Sequence, residues 1–203
     1  MTIAYATSFD DFIRFAPGQF SGNPADLPGS DWLENGVAAD RVVNTDARFA
    51  GGQCLQSSVA VNANSYVYIQ SSSFGTGSNH VRLNGSIARS GVRAANRYAM
   101  SLTFNFSGFL LSIIFERTGF MQVYGDTVLL GTSVFTHTVD TYYPFNIFAD
   151  YSTGQIIVRL EGQEVYNGFP ASYTGAGLSE VRFGGANPIP TAGTCSDEGR
   201  IAL

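Results

Sequence analysis

The sequence predicts an all-β protein, a sandwich or closed sheet of ten to thirteen short strands in one domain spanning residues 1–203. Three observations carry that expectation. Charged residues make up 13% of the chain, and 20 Ser, 15 Thr, 12 Asn and 23 Gly stand where charge is usual. Helical surfaces draw on Glu, Lys, Arg, Gln and Ala, yet there are six Glu and no Lys. Short alternating or apolar runs recur every roughly eight to twelve residues between turn residues, and no segment joins a 3.6-residue period to helix caps.

The elements follow in order. The first 46 residues, rich in Pro, Gly and Asp, read as loop-dominated. Val59–Gln70 alternates in part. In Tyr98–Phe106 the residues Tyr98, Met100, Leu102, Phe104 and Phe106 fall on one face at period two. Phe109–Phe115 is apolar except for Ser112, as in a strand buried on both faces. Phe120–Tyr124 and Thr127–Leu130 flank Gly125-Asp126, a hairpin signal. Pro144–Asp150 and Gln155–Leu160 flank Tyr151–Gly154, a second hairpin, and Glu161-Gly162 turns the chain into Gln163–Tyr166. Gly162 is expected at positive φ, which no β-branched residue accepts. Phe145, Ile147 and Ala149 should share one face, and Ile156, Val158 and Leu160 likewise. Ser179–Gly184 and Arg200–Leu203 close the series.

Composition also excludes functions. Sixteen Phe and ten Tyr rule out a disordered chain. A net charge of −5 argues against nucleic-acid binding. No basic, apolar leader opens the chain and no run approaches the ~18 apolar residues of a membrane span, so synthesis and folding in a cytoplasm, without membrane insertion, are expected. Charge is distributed unevenly. Residues 47–115 hold five Arg and no acid, and Arg82, Arg89, Arg93 and Arg97 cluster within them. That cluster is either a solvated face or a contact surface for an acidic partner chain or acidic glycan, since guanidinium groups suit bidentate contacts with carboxylates.

Four pieces of the chain, taken together, carry a family resemblance. They are Ser8-Phe9-Asp10-Asp11-Phe12; Arg48–Gln56 with Ser65–Tyr68 after it; Pro144–Asp150 running into Gln155–Tyr166; and Leu178–Gly185 before the closing strand. Their order resembles the concanavalin A-like lectin/glucanase jelly roll, in particular LamG-like domains encoded by tailed phages and prophages. The resemblance implies a jelly-roll sandwich of two antiparallel sheets. It implies a non-enzymatic structural component of a tailed-phage virion or phage-like particle: a decoration, fibre or tail-associated protein on the exterior. Its partners would be other virion proteins, copies of itself and cell-surface glycan. The alternatives are a free lectin-like carbohydrate-binding module and a divergent glycoside hydrolase. Where such phage domains carry an Asp-Asp pair before the last strand, this chain reads Ser196-Asp197-Glu198-Gly199, so calcium does not follow from the family.

No catalytic residue is expected. Jelly-roll glucanases set carboxylates at E-x-D-x-(x)-E spacing on one strand, because glycoside hydrolysis needs two about 5–9 Å apart, and no such string exists here. Glu161 and Glu164 lie across a turn, and Asp10-Asp11 and Asp197-Glu198 are adjacent pairs that diverge by the strand period. His80 and His137 read as structural. No nucleophile elbow or phosphate-binding loop is present. Calcium is the one metal the residues suggest, at Asp10, Asp11, Asp197 and Glu198, with ordinary turn acids as the alternative; no other cofactor is expected. Trp32, Tyr142, Tyr143, Tyr151 and Tyr173 fall in or beside loops, where large aromatics either contact glycan, form a protein interface, or anchor loops to the core. Cys54 and Cys195 are reduced by default in a cytoplasm, with a disulfide between neighbouring strands as the other option.

Overall fold

The computed structural model describes residues 32–35, 41–44, 54–57, 66–70, 79–89, 98–116, 119–184 and 199–202. Among them are fourteen strands: β1 (Trp32–Asn35), β2 (Arg41–Asn44), β3 (Cys54–Ser57), β4 (Tyr66–Gln70), β5 (His80–Arg89), β6 (Tyr98–Phe106) and β7 (Phe109–Glu116), followed by β8 (Phe120–Gly125), β9 (Val128–Thr136), β10 (Tyr142–Asp150), β11 (Ile156–Leu160), β12 (Gln163–Gly168), β13 (Glu180–Gly184) and β14 (Gly199–Ala202). No helix long and apolar enough to cross a membrane occurs among the described residues.

The strands form two seven-stranded antiparallel sheets. One has the order β1-β4-β13-β6-β7-β8-β9, the other β12-β11-β10-β5-β14-β3-β2. Alternation fixes which side of each strand meets the other sheet. On β10 the buried set is Tyr143, Phe145, Ile147 and Ala149; on β11 it is Ile156, Val158 and Leu160, as the period-two pattern requires. From the first sheet Leu102, Phe104, Phe106, Leu111, Ile113, Phe115, Met121 and Val123 meet them. The rings of Phe104 and Phe145 lie 6.0 Å apart across the two layers, and Phe135 stacks on Tyr143 at 5.5 Å. β7 is buried on both faces over Leu111–Phe115, as its continuous apolar run predicts.

Turn chemistry sets the register. β11 and β12 are joined by Glu161 (φ 53) and Gly162 (φ 74), the two positive φ values of a two-residue hairpin turn. The β8–β9 turn falls one residue later than the sequence pattern suggests. Gly125 ends β8, paired with Val128, and Asp126 and Thr127 turn the chain with Asp126 at φ 52. An aspartate tolerates that conformation when its side chain bonds locally. Here Asp126 Oδ1 accepts from the Leu110 amide at 2.9 Å and Oδ2 from the Ser172 hydroxyl at 2.5 Å, so one side chain ties the turn to β7 and to the loop after β12.

Two expectations are corrected. Trp32 opens β1 rather than sitting in a loop, while of the first 46 residues only the eight of β1 and β2 are described. β5 was not expected as a strand, yet it pairs with β10 along nine positions, from Tyr142↔Ala88 to Asp150↔His80. Its inward Val81, Leu83 and Ile87 pack on the core, but Gly85 and the outward Arg82 and Asn84 dilute its hydrophobic signal.

Candidate functional site

The second sheet presents an open outer surface built from β5, β10, β11 and β12. Register places Arg82, Phe148, Ile157 and Asn167 in one row across these strands, and Asn84, Asn146, Arg159 and Glu164 in the next. These residues lead outward because their neighbours Leu83, Ile147 and Val158 lead into the core. Arg82, Asn84, Glu164 and Asn167 are exposed, while Phe148 and Ile157 are half-buried. Farther along the same face Ser86 and Ala88 are buried, so the open area is the half around Phe148.

Two structural features occupy that area. The first is an aromatic centre: the Arg82 guanidinium carbon lies 5.4 Å over the Phe148 ring, and the His80 ring is 5.7 Å from it. The second is a ladder of planar polar groups. Gln155 Nε2 donates to Asn167 Oδ1 at 2.8 Å, Asn167 Nδ2 to Glu164 Oε1 at 3.2 Å, and Arg159 Nη2 to Glu164 Oε2 at 3.1 Å. Between centre and ladder Asn146 Nδ2 donates to Asn84 Oδ1. A half-buried ring with hydrogen-bonding side chains around it places apolar contact and polar groups on one surface.

Among the described residues two carboxylates point to this face, Glu164 and Asp150. They lie two strands and four residues apart in register, a backbone separation of roughly 16 Å from ordinary strand spacings. Glu164 is held by Arg159 and Asn167. Asp150 Oδ1 accepts from the Ser152 hydroxyl at 2.6 Å and from the Ser152 and Thr153 amides at 2.8 and 3.1 Å. Those bonds, the Ser152 hydroxyl first, hold its carboxyl below the usual aspartate range. Glu161 sits in the β11–β12 turn, not on the sheet face.

The loop aromatics divide. Tyr143 and Tyr173 are core residues, not glycan platforms. Tyr143 OH accepts from the Thr138 amide at 2.7 Å, and the Tyr173 ring lies 5.2 Å from Phe109 and 5.5 Å from Phe106 while its hydroxyl donates to Ala176 O. Their rings close opposite ends of the core, Tyr143 beside Phe115 and Phe135 and Tyr173 beside Phe106 and Phe109, and their hydroxyls anchor loops. Tyr151 is an anchor as well: its OH accepts from the Leu178 amide at 3.2 Å, and burial pushes its pKa up. Tyr142 lies half-buried on the outer face beside Ala88, and Trp32 lies in the other sheet. His137 is buried against Phe115, ring centroids 4.8 Å apart, whereas His80 is exposed on the site.

Of the arginine cluster, Arg82 belongs to the site and Arg89 ends β5; Arg93 and Arg97 lie outside the described residues. So do Asp10, Asp11, Cys195, Asp197 and Glu198, while Cys54 opens β3. Among the described residues no group of three His, Cys, Asp or Glu is placed to hold a metal ion. The sequence reading missed Phe148, Asn84, Asn146, Arg159, Glu164 and Asn167. Because Phe145, Ile147 and Ala149 share one face of β10 and Ile156, Val158 and Leu160 one face of β11, alternation puts Asn146, Phe148 and Arg159 on the opposite side, the signal that points here.

No family model matches the chain, and no curated protein matches it in sequence. Solved structures do match its fold. It is similar to a conserved carbohydrate esterase from the Shiga toxin-encoding bacteriophage phi24B at 15% identity and TM-score 0.57, covering 87% of this chain and 94% of that one. It is similar to the carbohydrate binding module CBM66 from Bacillus subtilis at 9% identity and TM-score 0.55, covering 85% and 92%. The catalytic domain of a glycoside hydrolase family 131 protein from Coprinopsis cinerea matches at 13% identity and TM-score 0.55, covering 98% and 92%. A sialidase also matches, and this chain spans 16% of its length. At these identities the likeness is one of fold: the chain is a concanavalin A-like jelly-roll sandwich of two antiparallel sheets, the architecture that these carbohydrate-binding and carbohydrate-processing proteins share.

Proposed function

We propose that this chain is a non-catalytic glycan-binding jelly roll and that it binds through the outer face of β5, β10, β11 and β12. The observation that carries this reading is the pairing, on one open face, of the Phe148 centre with the amide and guanidinium ladder. A sugar ring has an apolar C–H face and a rim of hydroxyls that both donate and accept. Aromatic and aliphatic side chains suit the first, and Asn, Gln, Arg and Glu the second. The separation of Glu164 and Asp150, and the bonds that occupy both, favour binding over hydrolysis, which needs one carboxylate to move a proton and a second close by. Binding of the purified chain to a glycan array tests it. At least one glycan should be retained, and Asn146→Ala with Phe148→Ala should abolish retention at an unchanged unfolding temperature. Retention untouched by the double change would move the site elsewhere, and an empty array would remove the reading.

A second reading places this module on the exterior of a tailed-phage particle, as a LamG-like decoration, fibre or tail-associated protein made in the host cytoplasm and touching other virion proteins and its own copies. The fold likeness to a phage-encoded protein over nearly the whole of both chains supports it. So does β9, an uncharged strand at the end of its sheet that exposes Val128, Leu129 and Val134. Immunogold labelling of phage particles from a host carrying the gene would mark intact particles if it holds, and soluble lysate alone if it does not.

A further inference from the structure

We propose that the glycan taken by this face is acidic, and that Arg82 anchors a sugar carboxylate with the Asn84 amide beside it. This rests on the glycan-binding reading and adds the ligand's charge. Arg82 is exposed, and among the described residues no carboxylate pairs with its guanidinium, which lies over the Phe148 ring. An arginine stacked on an aromatic ring loses conformational freedom while keeping the N–H groups of its fork open to a planar anion. Among the described residues, the two acids that share the face are bonded to other side chains and amides than Arg82. Asp150, diagonal to Arg82 across β5 and β10, spends Oδ1 on Ser152 and Thr153. Glu164, three strands away, is bonded to Arg159 and Asn167. Residues 47–115 bring no acid of their own to β5.

Asn84 stands two residues from Arg82 on the same face, about 7 Å along the strand. Its Oδ1 accepts from Asn146, and among the described residues its two amide N–H groups stay available for a ligand. Guanidinium and amide together offer parallel donors for a carboxylate and a neighbouring hydroxyl. The exposed His80 flanks the same ring. The net charge of −5 repels a polyanion as a whole, so retention of one requires a local anchor and not a diffuse field.

The test uses the full chain against immobilised polygalacturonate, alginate and polysialate, with the carboxyl-esterified form of each as control. The acidic form of at least one polymer should bind at least tenfold more tightly than its ester. Arg82→Gln should erase that difference with the unfolding temperature unchanged, while Arg82→Lys should restore part of it. Equal binding of acid and ester, or a preference that Arg82→Gln leaves intact, would overturn the carboxylate anchor while glycan binding stands. Loss of all retention, acidic and neutral, would overturn both.

Discussion

Neighbouring residues on β11 meet opposite surroundings. Val158 is fully buried between the sheets, whereas Arg159 pairs with Glu164 at 3.1 Å with 43% of each side chain exposed. Val158→Asp buries an unpaired carboxylate, a mechanism that costs more than ~4 kcal/mol. Arg159→Gln gives up an exposed ion pair worth at most ~1 kcal/mol. Chemical denaturation of the two variants should separate them widely, and equal losses would contradict the strand register. Asp150 offers a pH test. Its carboxyl is held low by Ser152, so its contribution is present above the ordinary aspartate range and is lost as pH falls through the lowered value. A carboxyl chemical-shift titration should find the midpoint below that of an ordinary aspartate, and Ser152→Ala should move it back up.

At the scale of elements, the two sheets approach each other where β9 passes β12. A Cβ at Gly131 would run into the Val165 backbone carbonyl, with the Val165 side chain 3.0 Å away. Glycine there permits a backbone approach that no other residue allows. Gly131→Val should therefore destabilise by about 1–3 kcal/mol through overpacking, read as a lowered denaturation midpoint. Gly162→Val, with open space around it but φ at 74, should cost about 1–2 kcal/mol for a different reason, the left-handed backbone. The Glu161-Gly162 turn and the faces of β10 and β11 were legible in the sequence because both are local: two positive φ values demand their residues, and alternation of period two sorts inward from outward. β5 was not legible, because a mid-strand Gly85 and outward Arg82 and Asn84 hide a strand whose stability comes from β10 alongside it.

For the molecule as a whole, the proposals predict binding without turnover. Incubation with β-glucans or bacterial polysaccharides should release no reducing ends, and Glu164→Gln should change nothing in that assay; reproducible hydrolysis lost in this variant would make the chain an enzyme. If copies of the chain pack along β9, Val134→Lys, at a position 80% exposed on that strand, should lower the oligomer measured by native mass spectrometry without lowering the unfolding temperature.

The all-β class and the shared faces of β6, β10 and β11 follow from the sequence itself, and the jelly roll was implied by the resemblance of four segments. Scarce charge and the absence of lysine are read from composition, and period-two alternation from short stretches, so none needs a partner to be seen. The site needed tertiary structure. Alternation divides a strand into two faces without saying which is covered, so Tyr143 and Tyr173 look like loop aromatics until the other sheet is placed over them. Nor does it say which strands lie side by side. Arg82 meets Phe148, and Asn84 meets Asn146, because β5 lies beside β10 across a long crossover, and that adjacency is set by the packing of both sheets around one core.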